Sequence, residues 1–190
     1  MKIDHIGRGY DIATAREALS PAECAALVAR AEAVGFTDAP VTTATGFRMM
    51  PEVRNNTRVM LDDPALAAWL WDRLAALFPS RQGEWRAVGL NERLRFYRYE
   101  PGQRFAWHRD GAFARDEVEV SRLTLMLYLN GGFEGGETEF DLGEPLSVKP
   151  EAGMAPSFGH RARHQGAAVT RGVKYALRTD VMYRRDAVIP

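Results

Sequence analysis

The sequence predicts a mainly β protein in which α-helices flank a β-barrel or β-sandwich core. The main observation is a change of character near residue 90, after which short apolar and aromatic runs recur between Gly- and Pro-rich segments. The clearest runs are "RLRFYRY" (93–99), "RLTLMLYLN" (122–130) and "VKYALRTDVMY" (173–183), which alternate over much of their length. A second observation is that two segments with helix start signals precede this region.

The length of the chain indicates a single domain over residues 1–190. A chain of 190 residues suits one domain with a sizeable core, and it contains no internal repeat, low-complexity tract or linker. We expect residues 1–89 to form a mostly helical flank with a loop, and residues 90–184 to form the β core.

Composition and charge exclude several classes of protein. Hydrophobic residues make up 46% and charged residues 26% of the chain, as in an ordinary globular protein. The 25 basic and 25 acidic residues cancel, so we expect no nucleic-acid or membrane partner. Cys24 is the only cysteine, which excludes an internal disulfide. No secretory signal is visible, and the longest strongly apolar run (65–71) is too short for a bilayer, so the expected location is the cytoplasm.

Capping signals define the two helices. The first is predicted to begin at "SPAE" (20–23), where a serine, a proline and a glutamate form a capping box, and to stop at Gly35. The second is predicted over "DPALAAWLWDRLAALF" (63–78) and ends near Pro79. The polar segment between the helices (39–60) is expected to be a long functional loop.

The glycine-rich stretch "GGFEGGETEF" (131–140) predicts a turn that leads into a strand. Because no helix N-terminus follows it, we interpret this turn as a hairpin rather than as a phosphate-binding loop.

The stretch "FAWHRDGAF" (105–113) contains a candidate metal-binding pair. If it is a strand, His108 and Asp110 point to one face. A third ligand is available downstream in "FGHRARHQG", which carries both His160 and His164. Two histidines and one carboxylate form a facial triad that binds iron and leaves coordination positions open, and zinc could use the same ligands. The alternatives are a surface ion pair and a packed core histidine.

The last predicted strand places two cations on one face. In "VKYALRTDVMY", Lys174, Ala176, Arg178 and Asp180 share a face. One explanation is a solvated outer face on which Arg178 pairs with Asp180. The other is a barrel interior in which a cation anchors a carboxylate-bearing ligand, since buried cations need an anionic partner.

Taken together, these motifs resemble the Fe(II)- and 2-oxoglutarate-dependent dioxygenases of the prolyl 4-hydroxylase-like family. The resemblance covers residues 90–184 and implies a double-stranded β-helix (jelly-roll, cupin-like) core for that segment. It implies a hydroxylase that decarboxylates 2-oxoglutarate to succinate and uses Fe2+, 2-oxoglutarate, O2 and ascorbate. The four motifs that carry the resemblance are "YEPGQRFAWHRD" (99–110), "LTLMLYLN" (123–130), "GGETEF" (135–140) and "HQGAAVTRGVKYALRTD" (164–180).

The resemblance implies that His108, Asp110 and His164 bind iron. In the resembled family a basic residue follows the distal histidine by about ten positions, and from His164 that residue is Lys174. The same count from His160 reaches an uncharged threonine. We therefore expect His160 to be a packed neighbour of the site rather than a ligand.

The resemblance also implies residues that bind the co-substrate. Lys174 would pair with the distal carboxylate of 2-oxoglutarate, and Tyr99 and Tyr128 match tyrosines that hydrogen-bond the co-substrate in related enzymes. Packing inside the barrel is the alternative for both tyrosines. Arg178 is a further candidate because it shares the face of Lys174, although it could pair with Asp180 instead.

Two other functions and several classes of substrate are compatible with the same residues. A cupin-like metal hydrolase or isomerase could use the same barrel and triad without needing Lys174, and a sensor could bind iron and 2-oxoglutarate without turnover. The substrate is expected to be an amino acid, a peptide or a protein side chain, and prolyl specificity is not carried over. Arginines at the rim of the candidate site could bind an acidic substrate. The candidate rim residues are Arg48, Arg54, Asn55, Asn56 and Arg58 in the 40–60 loop, together with "GAFARDEVEVS" (111–121).

Overall fold

The computed structural model describes residues 1–7, 9–43 and 45–186. Two α-helices lie in the first half of this part of the chain, α1 (Pro21–Val34) and α2 (Pro64–Leu74), and a 3-10 turn (Ala75–Leu77) continues the second. No helix among these residues combines the length and the apolar character needed to cross a membrane.

Both helices begin as the sequence predicts and α1 ends at the predicted place, whereas α2 ends at Leu74 and only its 3-10 continuation reaches Leu77, close to the predicted end near Pro79. The Ser20 side chain accepts a hydrogen bond from the Glu23 N–H, and the Glu23 carboxylate accepts one from the Ser20 N–H, which completes the capping box of α1. Gly35 follows α1 directly. Asp63 caps α2 by accepting a hydrogen bond of 2.9 Å from the Leu66 N–H.

The described residues contain many strands, all paired antiparallel. They are β1 (Lys2–Gly7), β2 (Ile12–Arg16), β3 (Thr37–Asp38), β4 (Val41–Thr43), β5 (Gly46–Arg48), β6 (Thr57–Asp62), β7 (Arg81–Gln82), β8 (Trp85–Leu90), β9 (Arg93–Tyr99), β10 (Phe105–His108), β11 (Glu119–Tyr128), β12 (Glu134–Gly135), β13 (Thr138–Asp141), β14 (Pro145–Val148), β15 (Ala155–Gly159), β16 (Arg163–Gly166), β17 (Val169–Arg171) and β18 (Lys174–Arg185).

Two sheets form the walls of the barrel. The large sheet has the strand order β1-β2-β15-β11-β18-β9-β6-β3, with β8 also paired to β18 and β7 paired to β8. The small sheet has the order β10-β16-β13-β14. Two short ribbons, β12–β17 and β4–β5, lie beside them. The predicted fold class, mainly β with flanking helices and a jelly-roll core, is confirmed.

The N-terminal flank differs from the sequence expectation. Residues 1–89 contain the two helices, but β1, β2 and β6 of this segment also extend the large sheet, and the expected 39–60 loop includes β4, β5 and the start of β6. The strands β2 and β6 pair with partners far away in sequence, β15 and β9, so local patterns reveal them poorly, while β1 pairs with the neighbouring β2. Strands from both segments therefore share one sheet.

The hydrophobic core has two layers separated by the large sheet. Leu177 and Val181 of β18 belong to the cluster that packs against Leu70 and Leu74 of α2. Ala176, on the opposite face of β18, belongs to a second cluster inside the barrel. The alternation of β18 therefore points every second side chain, including Lys174 and Arg178, into the barrel.

Candidate functional site

A His-Asp-His cluster lies on the small sheet of the barrel. His108 ends β10, His164 lies in β16, and the two residues are direct partners in the antiparallel pairing, with ring centroids 4.2 Å apart. Asp110 follows β10, and one ligand atom from each of the three residues lies within 4.8 Å of the others. The strand expected over "FAWHRDGAF" therefore ends at His108, because its pairing with β16 stops there. Asp110 reaches the cluster from the segment beyond.

Backbone carbonyl groups orient both imidazoles. Nδ1 of His108 lies 2.8 Å from the carbonyl oxygen of Ala106, and Nδ1 of His164 lies 3.0 Å from that of Ala162. Donation by Nδ1–H to these carbonyls leaves the Nε2 lone pairs directed at the cluster. The two Nε2 atoms lie 3.6 and 3.7 Å from the carboxylate of Asp110. This donor set fits a divalent metal such as Fe2+.

The carboxylate of Asp110 is held as an anion. Its Oδ2 accepts a hydrogen bond of 2.6 Å from the Thr124 hydroxyl, and its Oδ1 lies 3.1 Å from Nη2 of Arg178. Burial raises the pKa of Asp110, but the charge of Arg178 and the two imidazoles outweigh burial and hold the pKa well below its ordinary range. Asp110 is therefore charged at neutral pH and available as a ligand.

The imidazole of His164 is held in its neutral form. The rings of Phe158 and Phe140 lie 4.5 and 6.0 Å from it, centroid to centroid. Burial lowers the pKa of His164 to about 4, although the charge of Asp110 opposes the shift. At neutral pH the Nε2 lone pair is therefore free for a metal.

Arg178 lies between two carboxylates. Its Nη2 is 3.1 Å from Asp110 and 3.2 Å from Asp180, and Asp180 also lies 3.3 Å from Arg95 and 3.8 Å from Nε2 of His160. Burial lowers the pKa of Arg178, but the two carboxylates raise it above its ordinary value. The structure thus brings Arg178 to Asp180, as one sequence interpretation expected, and also to Asp110. His160 contacts Asp180 and lies outside the His-Asp-His cluster.

Lys174 lies in the same pocket as the cluster. It is 2% exposed, and its Nζ donates a hydrogen bond of 2.5 Å to the carbonyl oxygen of Gly136. Nζ also lies 5.4 and 5.0 Å from the ring centroids of Tyr99 and Tyr128. Burial lowers the pKa of Lys174 to about 8, against the charge of Glu137. The interpretation of this strand face as a solvated outer face is therefore wrong.

The two tyrosines contribute in different ways. Tyr99 lines a pocket of about 390 Å³ together with Lys174 and the His-Asp-His cluster. Tyr128 lies behind the pocket, and its hydroxyl donates a hydrogen bond of 2.7 Å to Thr138, which does line it. Burial raises the pKa of Tyr99 to about 12 and also raises that of Tyr128. Both hydroxyls therefore keep their protons and can donate hydrogen bonds.

Two glycines permit the close approach at Lys174. Gly135 and Gly136 have positive φ angles of 74° and 72°. A Cβ at Gly135 would lie 2.3 Å from the carbonyl oxygen of Ala168, and a Cβ at Gly136 would lie 3.0 Å from Cδ of Lys174. The glycine-rich turn predicted from the sequence thus positions a carbonyl group on the buried ammonium.

A second, larger groove reaches the cluster from the side of the β1–β2 and β7–β8 turns. It is open to solvent, and its wall includes Asp110, Arg109, Arg122 and His160. The His-Asp-His cluster is therefore approached both through the enclosed pocket of Lys174 and through this open groove.

The candidate rim residues of the 40–60 loop fall into different environments. Arg54 and Asn56 are buried, and Nε of Arg54 donates a hydrogen bond of 2.7 Å to the Asn56 side chain. The Asn55 side chain accepts a hydrogen bond of 2.8 Å from a backbone N–H of the β9–β10 turn. Arg58 is half-buried in β6, and Arg48 is exposed in β5.

The candidate rim segment 111–121 follows Asp110 directly. It turns back on itself, because the Phe113 N–H donates a hydrogen bond of 2.8 Å to the Ser121 hydroxyl. Phe113 and Val118 are partly exposed, at 39% and 47%. The segment thus borders the open side of the cluster, as the sequence analysis expects.

The sequence analysis missed several residues beside the His-Asp-His cluster, among them Thr124, Thr138 and Phe105. Thr124 and Thr138 hydrogen-bond Asp110 and Tyr128, and the Phe105 ring stacks on the His108 ring with centroids 3.6 Å apart. A signal existed for Thr124, which is the only hydroxyl in the apolar run before Tyr128 and shares that residue's strand face. The sequence gives no comparable signal for Thr138 or Phe105.

The fold and the cluster define a jelly-roll protein with a candidate catalytic metal site. A family model described as the 2OG-Fe(II) oxygenase superfamily matches residues 94–179. A PKHD-type hydroxylase from Paraburkholderia phymatum is 33% identical over 172 residues, which cover 84% of this chain and 73% of that protein.

The chain therefore belongs to the 2OG-Fe(II) oxygenase superfamily. It is a 2-oxoglutarate-dependent hydroxylase that uses Fe2+, 2-oxoglutarate and O2.

Solved structures share the fold at low sequence identity. A Pseudomonas putida prolyl-4-hydroxylase has a TM-score of 0.67 at 21% identity, with coverage of 94% of this chain and 95% of that one. A Trichoplax adhaerens prolyl hydroxylase, in complex with a peptide fragment of hypoxia inducible factor, has a TM-score of 0.72 at 16% identity and covers 90% and 83%. The viral collagen prolyl hydroxylase of Paramecium bursaria Chlorella virus-1 has a TM-score of 0.64 at 21% identity and covers 93% and 97%.

Proposed function

We propose that His108, Asp110 and His164 hold the Fe2+ of this oxygenase and that Lys174 binds the distal carboxylate of 2-oxoglutarate. The observation that carries this proposal is a single pocket lined both by the His-Asp-His cluster and by a deeply buried ammonium group. Within the described part of the chain, the hydrogen-bond partner of that ammonium is a carbonyl oxygen rather than a carboxylate. A dicarboxylate bound between cluster and ammonium supplies the missing anion.

The residues of the chain contribute position and charge to the reaction. Bound Fe2+ supplies the activation of dioxygen and the oxidation of the substrate carbon. His108, Asp110 and His164 would supply three ligands to the metal, which would leave room at the cluster for the keto-acid end of 2-oxoglutarate. Lys174 fixes the far end of 2-oxoglutarate, so that its keto-acid end meets the cluster in one orientation.

The neighbouring residues have distinct roles in this proposal. The protonated Tyr99 hydroxyl donates a hydrogen bond to 2-oxoglutarate, while Tyr128 is a positioning residue that acts through Thr138. Arg178, a candidate for binding the co-substrate because it shares the strand face of Lys174, acts instead on Asp110, which it contacts directly. It holds the carboxylate charged and oriented before the metal binds.

The proposed substrate is a side chain of a peptide or protein. The open groove that reaches Asp110 offers room for a chain much larger than an amino acid. The structurally similar prolyl hydroxylase of Trichoplax adhaerens is in complex with a peptide fragment, which supports the same class of substrate.

Anaerobic addition of Fe2+ and 2-oxoglutarate tests the proposed site. Binding of 2-oxoglutarate to iron held by the cluster should produce a weak metal-to-ligand charge-transfer band in the visible range. Succinate should then form when air is admitted. A band without succinate would indicate a sensor, and the absence of a band would contradict the assigned metal and co-substrate residues.

The proposal also includes ascorbate as an additional cofactor and the cytoplasm as the location of the protein. Ascorbate is expected to sustain turnover by keeping iron reduced, so omitting it should lower the number of turnovers before activity stops. Cell fractionation followed by immunodetection tests the location.

A further inference from the structure

Several guanidinium groups converge beside the pocket on the inner face of the large sheet. In the strand pairing, Arg95 lies opposite both Met60 of β6 and Arg178 of β18, and Arg58 lies opposite Tyr97. Directly opposite residues of an antiparallel pair share a face, so these five side chains lie on the face that carries Lys174. We call Arg54, Arg58 and Arg95 the arginine cluster.

A single aromatic ring separates Arg54 from the His-Asp-His cluster. Its guanidinium carbon is 4.4 Å from the ring centroids of both Tyr97 and Phe105, and the Phe105 ring in turn stacks on His108. Arg54 is only 4% exposed. Its Nε is used by Asn56, but its buried Nη2 has no hydrogen-bond partner among the described residues. A buried guanidinium nitrogen without an acceptor is costly, which indicates that a ligand supplies one.

The cluster carries more positive charge than its neighbours neutralise. Among the described residues Arg95 has Asp180 as a partner, which it shares with Arg178, whereas Arg54 and Arg58 form no ion pair. Arg58 is half-buried beside the Phe47 ring, and burial together with the charges of Arg54 and Arg95 lowers its pKa.

The pKa of Tyr97 reflects the positive charge of these arginines. Complete burial raises the pKa of a phenol, yet the charges of Arg54, Arg178 and Arg95 outweigh burial and lower the pKa of Tyr97 below its ordinary value. The space around this hydroxyl is therefore positive and favours an anion.

The surface next to the cluster is open and apolar. Met60 lies on the inner face of the sheet and is nevertheless 45% exposed, and Phe47 and Met49 of the neighbouring hairpin are 68% and 54% exposed. The anion is therefore carried by a ligand with apolar parts that enters from the rim. It is distinct from 2-oxoglutarate, whose distal carboxylate is proposed to lie at Lys174.

We propose that the arginine cluster binds an acidic side chain of the peptide substrate and so makes this oxygenase selective for Asp- or Glu-containing segments. Guanidinium groups pair with carboxylates through two parallel hydrogen bonds, which fixes the register of the bound peptide. The exposed Phe47, Met49 and Met60 would contact its apolar residues. This inference rests on the proposed function.

The test uses three pools of synthetic peptides that are randomised at all positions except one, which is fixed as Glu, Gln or Lys. Succinate formation stimulated by each pool is measured with the Fe2+-loaded enzyme, and hydroxylated peptides are identified by the mass gain of one oxygen atom. We expect the Glu pool to stimulate at least about tenfold more than the Gln pool, since a charge-assisted hydrogen bond is lost with Gln. Free glutamate serves as a small-molecule comparison.

Two variants of Arg58 sharpen the test, because this half-buried residue can change with little risk to the fold. Arg58→Gln should raise the apparent KM for the Glu pool roughly tenfold and leave that for the Gln pool unaltered. Arg58→Glu should shift the preference towards the Lys pool. Arg86→Gln, on the exposed side of β8, is the matched control and should leave the preference unchanged.

The outcomes separate this inference from the proposed function. If the wild-type enzyme gives no anaerobic charge-transfer band and forms no succinate in the absence of peptide, the proposed function itself fails. If both persist, the inference is overturned by equal stimulation from the three pools, by no stimulation from any pool, or by stimulation from free glutamate alone. It is also overturned if Arg58→Gln weakens the apparent affinity for the co-substrate as much as that for the Glu pool.

Discussion

The variant Lys174→Met should weaken 2-oxoglutarate binding and at the same time stabilise the protein in the absence of ligands. Methionine keeps an unbranched side chain of similar length in the pocket but removes the ammonium group. In the wild type this group is buried, hydrogen-bonded to the Gly136 carbonyl and flanked by two tyrosine rings. The variant therefore tests one explanation for the buried charge. In this explanation the charge destabilises the fold but is needed to bind the co-substrate.

The magnitudes follow from the burial of the charge. A hydrogen bond to a charged group contributes about 1.5–3 kcal/mol, so the affinity for 2-oxoglutarate should fall roughly ten- to hundredfold. Burial lowers the pKa of Lys174 from 10.5 to about 8, and a lowering of this size costs the folded state roughly 3 kcal/mol at neutral pH. The lost hydrogen bond to Gly136 offsets about 1 kcal/mol of the gain. A net gain of about 2 kcal/mol should raise Tm by about 4–8 °C.

The stability gain should depend on pH with a definite sign. Below pH 8 the folded wild type holds a charged Lys174 and bears the full penalty. Between pH 8 and 10.5 the folded state gives up this proton while the unfolded chain keeps it, so the penalty shrinks as pH rises. The advantage of Lys174→Met should therefore be largest at neutral pH and smaller near pH 10.

Two measurements check this prediction. Calorimetric titration of 2-oxoglutarate into Mn2+-loaded protein gives the affinity without turnover, and thermal unfolding of the ligand-free protein gives Tm. The matched control is Lys149→Met, which removes an exposed ammonium and should change neither quantity appreciably. An unchanged affinity in Lys174→Met would move the anchor to Arg178, and a lower Tm would refute the reasoning about the buried charge.

Four further predictions concern the metal ligands, their support, the co-substrate and the fold. His164→Ala should lose iron and succinate formation, whereas His160→Ala should retain iron when metal content is measured; the reverse pattern would overturn the ligand assignment. Thr124→Val keeps the shape but removes the hydrogen bond to the carboxylate ligand, so iron affinity in a metal titration should fall roughly tenfold; an unchanged affinity would contradict this. In the wild type the affinity for the co-substrate, measured by calorimetric titration, should fall by at most tenfold per pH unit above about pH 8, where the unliganded Lys174 loses its proton; a flat profile up to pH 10 would count against it. Ser20→Ala removes the capping box of α1 and should lower Tm by about 2–4 °C while the affinity for the co-substrate stays the same; no change in Tm would indicate that the cap contributes nothing.

Local signals explain which parts of the fold the sequence predicts. The starts of both helices are predicted correctly because their caps act within a few residues, as in the reciprocal hydrogen bonds of Ser20 and Glu23. The strands β9 and β18 are recognisable because each is apolar on the face that packs under the helices. The strands β2 and β6 are missed because each pairs with a strand far away in sequence, and β1 is missed because it is a largely exposed edge strand that pairs with β2.

The sequence predicts the parts of the candidate site that depend on the spacing of residues along the chain. The ten-residue interval from His164 to Lys174 distinguishes this histidine from His160, and the structure brings both residues into one pocket. The contacts of Asp110 cannot be read in the same way. They depend on the register between β11 and β18, which sets Thr124 opposite Asp180. This register brings the hydroxyl of Thr124 to the carboxylate of Asp110.

The position of Arg178 follows from the energetics of a buried carboxylate. A metal ligand at Asp110 must be charged before the metal arrives, but burial alone would protonate it and weaken metal binding. Arg178 and Thr124 together stabilise the anion, and each uses a different oxygen of the carboxylate. Asp180 in turn gives Arg178 a second anionic partner, so the guanidinium does not depend on the metal ligand alone. In the proposed function the cations on β18 therefore have separate tasks. Arg178 holds Asp110, the proposed metal ligand, and Lys174 is left for the co-substrate that we propose to enter the pocket.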